Sequence, residues 1–210
     1  MIVFEAAKAV LLLNPKTGTR SIVDYFSQPR FRDHANVVNG GHVPYREVIN
    51  IHGKDGYQGY QLFAFYRCPI ERFVSACNYI VSQWNRIWAD YPLNPETKAT
   101  VQAEIRELTM EGFLDMIIHG NRGPVLDLAR FQTDYFGPNI QLLNFHDFDA
   151  EFTRLTTLLG LSGPAKAPHH NERFPKFCIN DLSPELIERI KQYYAPDYAF
   201  FAIRGITFNR

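Results

Sequence analysis

The first thing this chain lacks is net charge, because its 22 Lys and Arg are matched by 22 Asp and Glu. No overall field draws it to nucleic acid or to an anionic membrane, so any anion site must be local, built from a few placed groups. Cysteine is scarce too. Cys68, Cys77 and Cys178 are three among 210 residues, an odd and sparse set that argues for reduced thiols rather than a disulfide framework. Asn-x-Ser/Thr acceptors are absent, which runs mildly against a secretory protein. Met1–Val10 shows no basic segment leading into a long apolar run, so no secretion signal is expected. No apolar stretch reaches the roughly 20 residues of a membrane-spanning helix. Repeats and biased tracts are also missing. These absences lead to the expectation of a cytoplasmic protein without nucleic-acid or membrane partners.

What is present reads as globular: 46% hydrophobic, 14% aromatic and 21% charged residues. That composition and length suit one domain, residues 1–210, with a full-sized core. Short apolar runs at Val10–Leu13, Asn36–Asn39, Gln61–Tyr66 and Ile140–Phe145 predict strands. Helices are expected from about Arg20 and Pro44, then over Pro69–Trp84, Lys98–Ile118, Val125–Phe136, Asp147–Leu159 and Pro184–Tyr194. In the Pro69 helix, Ile70, Phe73, Val74, Cys77, Ile80, Val81 and Trp84 fall at three-to-four spacing, an apolar face turned to the core. Strands separated by helices imply a three-layer α/β fold, a central parallel sheet flanked by helices. Ligands in such sheets sit beyond the carboxyl ends of the strands.

Two segments occupy such ends. Asn14-Pro15-Lys16-Thr17-Gly18-Thr19 follows the first strand and leads into a helix. Helix N-termini present unsatisfied N–H groups and a favourable dipole to anions. Gly18 permits close approach, Thr17, Thr19 and Ser21 carry hydroxyls, and Lys16 brings a point charge. Its lysine precedes its glycine and the loop is short, so the segment is not a Walker A loop. An ordinary turn with a capping Thr or Ser is the alternative. The second segment places Arg67 at the end of the Gln61–Tyr66 strand, with Arg72 and Ser75 three apart on the helix that follows. Arginine forks and a hydroxyl there suit a phosphate monoester. Ion pairs of these arginines with Glu71 or Asp134 are the alternative.

Together the two segments resemble the PAPS-dependent sulfotransferase family. Leu12–Ser21 is similar to its 5′-phosphosulfate loop. Phe65–Tyr79 is similar to its 3′-phosphate motif, Arg-x-Pro-x-x-Arg-x-x-Ser-x-x-x-Tyr. The best match is to the carbohydrate-type branch, which includes heparan 2-O- and chondroitin sulfotransferases. Gly41–Tyr45, Gln132–Phe136 and Tyr193–Tyr198 are weaker echoes of that branch. The resemblance implies a P-loop-like sulfotransferase fold and transfer of a sulfonyl group from 3′-phosphoadenosine-5′-phosphosulfate (PAPS) to an acceptor hydroxyl, by in-line displacement and without a metal. It gives Lys16, Thr17, Gly18, Thr19 and Ser21 to the 5′-phosphosulfate, Arg67 and Ser75 to the 3′-phosphate, and Arg173, in a late loop, to the same phosphate. Arg20 departs from the pattern and either binds phosphate or points to solvent. Cys68 replaces the usual Asp or Asn.

Catalysis needs a charge on the leaving phosphate and a base for the acceptor. Lys16 fits the first role. His42 fits the second, with a reference pKa of about 6.5, although it could equally cap the helix near Pro44. His52, His119 and His146 read as surface or capping residues. His169, His170 and Asn171 lie in the late loop without a Cys or acid at metal-ligand spacing. Trp84, Trp88 and Tyr91 line a sugar platform or belong to the core and helix end. The acceptor is a small molecule or, from the branch resemblance, a glycan. Two other classes stay open: a P-loop-type nucleotide kinase, and a non-catalytic module that binds a nucleotide or sulfated glycan.

Overall fold

The computed structural model describes residues 1–38, 42–53, 56–87 (backbone only at 84–87), 94–96, 99–100, 103, 107–119, 128–161 and 176–208. It shows an α/β protein whose chain divides into two compact units, Met1–Arg67 with Phe131–Glu172, and Cys68–Arg130 with Arg173–Arg210.

The first unit holds a five-stranded sheet: β1 (Ile2–Phe4), β2 (Ala9–Leu12), β3 (Asn36–Val37), β4 (Gln61–Tyr66) and β5 (Gln141–Asn144), in the order β3-β1-β2-β4-β5. β2, β4 and β5 are parallel, with Leu12 opposite Ala64 and Tyr66 opposite Asn144. The sheet is nevertheless mixed, which corrects the expectation of a wholly parallel one. β1 runs antiparallel to both β2 and β3. Only Glu5–Lys8 separates β1 from β2, a connection long enough for a hairpin and far too short for a parallel crossover. Lys8 turns that corner with a left-handed backbone, φ 47°.

β2 is buried along its whole length, as its unbroken apolar sequence requires. On one face Leu11, Phe63, Phe65 and Leu143 pack against Ile22, Tyr25 and Phe26 of α1 (Thr19–Phe26) and Phe152 and Leu155 of a later helix, Phe148–Leu158. Tyr25 meets Phe152 edge-on at 4.9 Å between ring centroids, and Phe26 meets Phe4 at 5.0 Å. The three-to-four spacing of Ile22, Tyr25 and Phe26 therefore fixes the helix that begins at the Lys16 turn. Val10, Leu12 and Ala64, on the opposite face, are buried as well. There Gly137 lies so close to Leu62 and to Tyr45 of α2 (Tyr45–His52) that a Cβ would meet each at 2.6 Å.

In the second unit, Pro69 opens α3 (Pro69–Ile87), its missing N–H harmless in a first turn. Ile70, Phe73, Val74, Cys77 and Ile80 form its buried face. Phe73 packs on Phe113 of α4 (Met110–His119) at 5.2 Å. The helix expected over Lys98–Ile118 is broken at residues 107–109, because Thr109 caps a new one. Its hydroxyl accepts the Gly112 N–H at 3.0 Å and its carbonyl accepts the Phe113 N–H at 2.9 Å. The helix expected over Val125–Phe136 is likewise interrupted, since Phe131 is extended (ψ 143°) and Gln132–Tyr135 form a single 3₁₀ turn. The later helices are α5 (Phe148–Leu158), in the first unit, then α6 (Pro184–Tyr193) and α7 (Ala195–Ile203). α7 was not expected from the sequence: Pro196 reads as a breaker but sits in the first turn, where it is tolerated.

Candidate functional site

Residues 14–19 link β2 to α1 as a turn wound left-handed twice, at Lys16 (φ 66°) and Gly18 (φ 77°). A non-glycine residue in that conformation is strained by about 1–2 kcal/mol, and such strain concentrates where a backbone must present itself to a ligand. The N-cap residue of α1 is Gly18, which has no side chain to cap the first turn, and the leading N–H groups of a helix have no intrahelical partner. The Thr17 and Thr19 hydroxyls donate to the Asn14 carbonyl, at 2.7 and 2.8 Å. Each hydroxyl has one hydrogen, so these two brace the turn in this conformation. Gly18 leaves no room for a side chain, because a Cβ would approach the Phe145 and Phe148 rings to 3.0 Å.

Arg67 follows β4 directly and belongs to the same unit as the turn. Two buried side-chain amides, Gln132 and Asn14, join them. The Gln132 Oε1 accepts the Arg67 N–H at 3.0 Å, and its Nε2 donates to the Arg67 carbonyl at 2.8 Å. The same Oε1 accepts from Asn14 Nδ2 at 3.0 Å, and Asn14 Nδ2 also reaches the Phe65 carbonyl at 3.3 Å. Gln132 is fully buried and Asn14 nearly so. The tips of neighbouring parallel strands are thus stitched side by side, with Lys16 and Arg67 on the stitched segments.

Two cations consequently share one neighbourhood. Burial, aided by the Arg67 guanidinium, pushes the Lys16 ammonium down to about 7. Arg67 lies over the Phe145 ring, 5.0 Å from its centroid, and Phe145 in turn touches Phe148 at 5.6 Å. Like charges brought this close raise the cost of keeping both ionised, and both side chains are of the type that binds anionic groups.

His42 stands at the same strand end. Its Nδ1 lies 3.0 Å from the Leu13 carbonyl. A carbonyl only accepts, so Nδ1 carries the hydrogen and Nε2 is the basic nitrogen of the neutral ring. α2 begins after Pro44, its N-cap residue, two positions beyond His42.

The remaining candidates separate. Ser21 is buried in the first turn of α1. Arg20 is exposed and faces Asp24 at 3.8 Å, one helical turn on. Ser75 is half-buried on α3, in the second unit. Arg72 is fully buried there, and both terminal nitrogens donate to main-chain carbonyls: Nη1 to Leu128 at 3.3 Å, and Nη2 to Arg130. Tyr194 lies under its guanidinium, 5.4 Å from the ring centroid, and gives its own hydroxyl hydrogen to the Ala129 carbonyl at 3.0 Å. Arg72 is therefore a structural tie, and not the phosphate-binding fork partner that the spacing suggested. His52 lies tilted against Tyr57, 5.1 Å between ring centroids, and His146 sits in a 3₁₀ turn. Arg173, His169, His170, Asn171, Trp88 and Tyr91 lie outside the described residues, as does the side chain of Trp84. Among the described residues, no group of three or more His, Cys, Asp and Glu converges to hold a metal ion.

Sequence reasoning passed over Asn14, Gln132 and Phe145 as site residues. A buried asparagine at the end of an apolar strand was the available signal for the first. Gln132 stands 118 positions away from Asn14, and nothing local marks their pairing. Compared with protein-family models, curated proteins and solved structures, the chain matches none.

Proposed function

We propose that the protein is a sulfotransferase that moves a sulfonyl group from PAPS to an acceptor hydroxyl, of a carbohydrate by resemblance to the carbohydrate-type branch. The observation that carries this reading is the pairing of Lys16 and Arg67 on adjacent strand tips, held by the Gln132 and Asn14 amides. A doubly phosphorylated adenosine has two anionic ends, and two separate cation-bearing tips suit it better than they suit one phosphate chain. The reading includes a P-loop-like three-layer arrangement and a cytoplasmic setting.

In this mechanism the α1 amide groups and Lys16 hold the 5′-phosphosulfate, and Arg67 holds the 3′-phosphate. His42 Nε2 takes the acceptor's proton as its oxygen attacks sulfur. The bond from sulfur to the bridging phosphate oxygen breaks, and Lys16 offsets the charge that builds there. By accepting the Nδ1 hydrogen, the Leu13 carbonyl fixes the tautomer in which Nε2 of the neutral ring carries the lone pair. Thr17 and Thr19 shape the turn through Asn14. Ser21 keeps the nucleotide contact that the resemblance assigns it.

Labelled sulfate transfer from PAPS to a panel of saccharides and small alcohols tests the reading. His42→Ala should lower transfer by about 10²–10⁴-fold while leaving affinity for adenosine 3′,5′-bisphosphate unchanged. Full turnover in that variant would remove His42 from the mechanism. Tight bisphosphate binding with no transfer to any acceptor would favour a non-catalytic nucleotide module. Preference for ATP over the bisphosphate would favour a kinase.

A further inference from the structure

We infer that Gln132 is a positioning residue that sets the spacing between the two anion-binding tips, and so couples affinity for one end of the ligand to affinity for the other. The inference rests on the nucleotide reading above.

Its basis is the unusual completeness of one side chain's bonding. The Gln132 amide pairs with both main-chain groups of Arg67, as a neighbouring strand would, beyond the point where β4 and β5 end at Tyr66 and Asn144. Through its oxygen it also holds Asn14 Nδ2. Asn14 in turn receives the Thr17 and Thr19 hydroxyls on its carbonyl. The chain of bonds thus runs from the Arg67 backbone to the last residues before the α1 amides, and every link in it is short.

Both partners are buried, where hydrogen bonds are stiff and unmade ones are costly. Asn14 Oδ1 is itself buried with no hydrogen-bond partner among the described residues, and there the Asn14 side chain bonds through its nitrogen. Gln132 comes from the 3₁₀ turn Gln132–Tyr135, far along the chain from either tip. It touches neither cation's head group through these bonds, so its effect on a ligand passes through the backbone it holds.

A residue that merely stabilises the fold and one that sets a spacing make different predictions. The test uses calorimetry on the full chain and on Gln132→Met, which keeps the side-chain length but neither donates nor accepts a strong hydrogen bond. The two probes are adenosine 3′,5′-bisphosphate and adenosine 5′-monophosphate. Positioning predicts that the bisphosphate loses about tenfold or more in affinity, with the monophosphate changed by less than about threefold. The ratio of the two affinities is the readout. Equal losses for both probes, or no loss for either, would overturn the inference.

Amide hydrogen exchange on the ligand-free protein supplies a second readout that does not depend on the nucleotide. In Gln132→Met, exchange at Thr17–Arg20 should accelerate while α5 keeps its protection. Unchanged exchange at the turn would count against the positioning role. If the unaltered protein binds both probes equally, the nucleotide reading fails by itself, and the exchange data alone decide whether Gln132 couples the tips.

Discussion

Lys16 carries the sharpest consequence at the scale of single residues. A free lysine titrates near 10.5, and in the folded protein burial beside Arg67 brings this group to about 7. Between those values the unfolded chain binds a proton that the folded chain has released, so stability rises with pH across the window. Below pH 7 both states are protonated, and the full cost of burying the charge is felt. Relative to Lys16→Met, the unaltered protein should therefore gain stability from pH 7 to pH 9. The gain should be at most about 1.4 kcal/mol per pH unit, lowered further by the side chain's partial exposure. Urea unfolding of both proteins at the two pH values checks it, and parallel stabilities would contradict it. A phosphate held against Lys16 restores the charge. Bisphosphate binding above pH 7 should then take up protons, visible as buffer-dependent binding heats. Lys16 and Arg67 were legible in the sequence because each stands just past a strand of unmistakable apolar character. Asn14 and Gln132 were not, since a hydrogen bond between residues 118 apart leaves no trace in local pattern.

Among elements, α3 shows how one spacing supports two meanings. Arg72 and Ser75 lie three apart, which reads from sequence as a shared ligand-facing surface. In the fold Arg72 instead turns inward and fastens α3 to residues 128–130. Arg72→Met should consequently cost about 1–3 kcal/mol of stability, because it removes two hydrogen bonds made by a fully buried charged group to the Leu128 and Arg130 carbonyls. Nucleotide affinity of the folded variant should stay within a few-fold of the original. A shift of the urea midpoint, beside calorimetry at a temperature where the variant is folded, checks both parts. A large loss of affinity with unchanged stability would return Arg72 to the ligand. Helix bodies with a clear apolar face, such as α1 and α3, were readable. Breaks were harder, because the Thr109 cap and the extended Phe131 interrupt stretches whose composition remains helical throughout.

Over the whole molecule, the α/β class followed from the alternation of apolar runs and amphipathic stretches, while the direction of β1 did not. Three residues, Ile2–Phe4, are too few to declare a strand by period. The resulting hairpin makes the sheet mixed without disturbing β2, β4 and β5, whose parallel order puts the Lys16 turn next to Arg67. Balanced charge fits the same picture. A chain with no net field that brings Lys16 and Arg67 together at one strand edge would, on the proposed reading, concentrate its attraction for anions there. The most direct measurement is a crystal structure of the protein with adenosine 3′,5′-bisphosphate. One nucleotide should be found with its 5′-phosphate on the first turn of α1 and Lys16 Nζ, and its 3′-phosphate on the Arg67 guanidinium. A nucleotide bound elsewhere, or one that engages only one of the two strand tips, would contradict it.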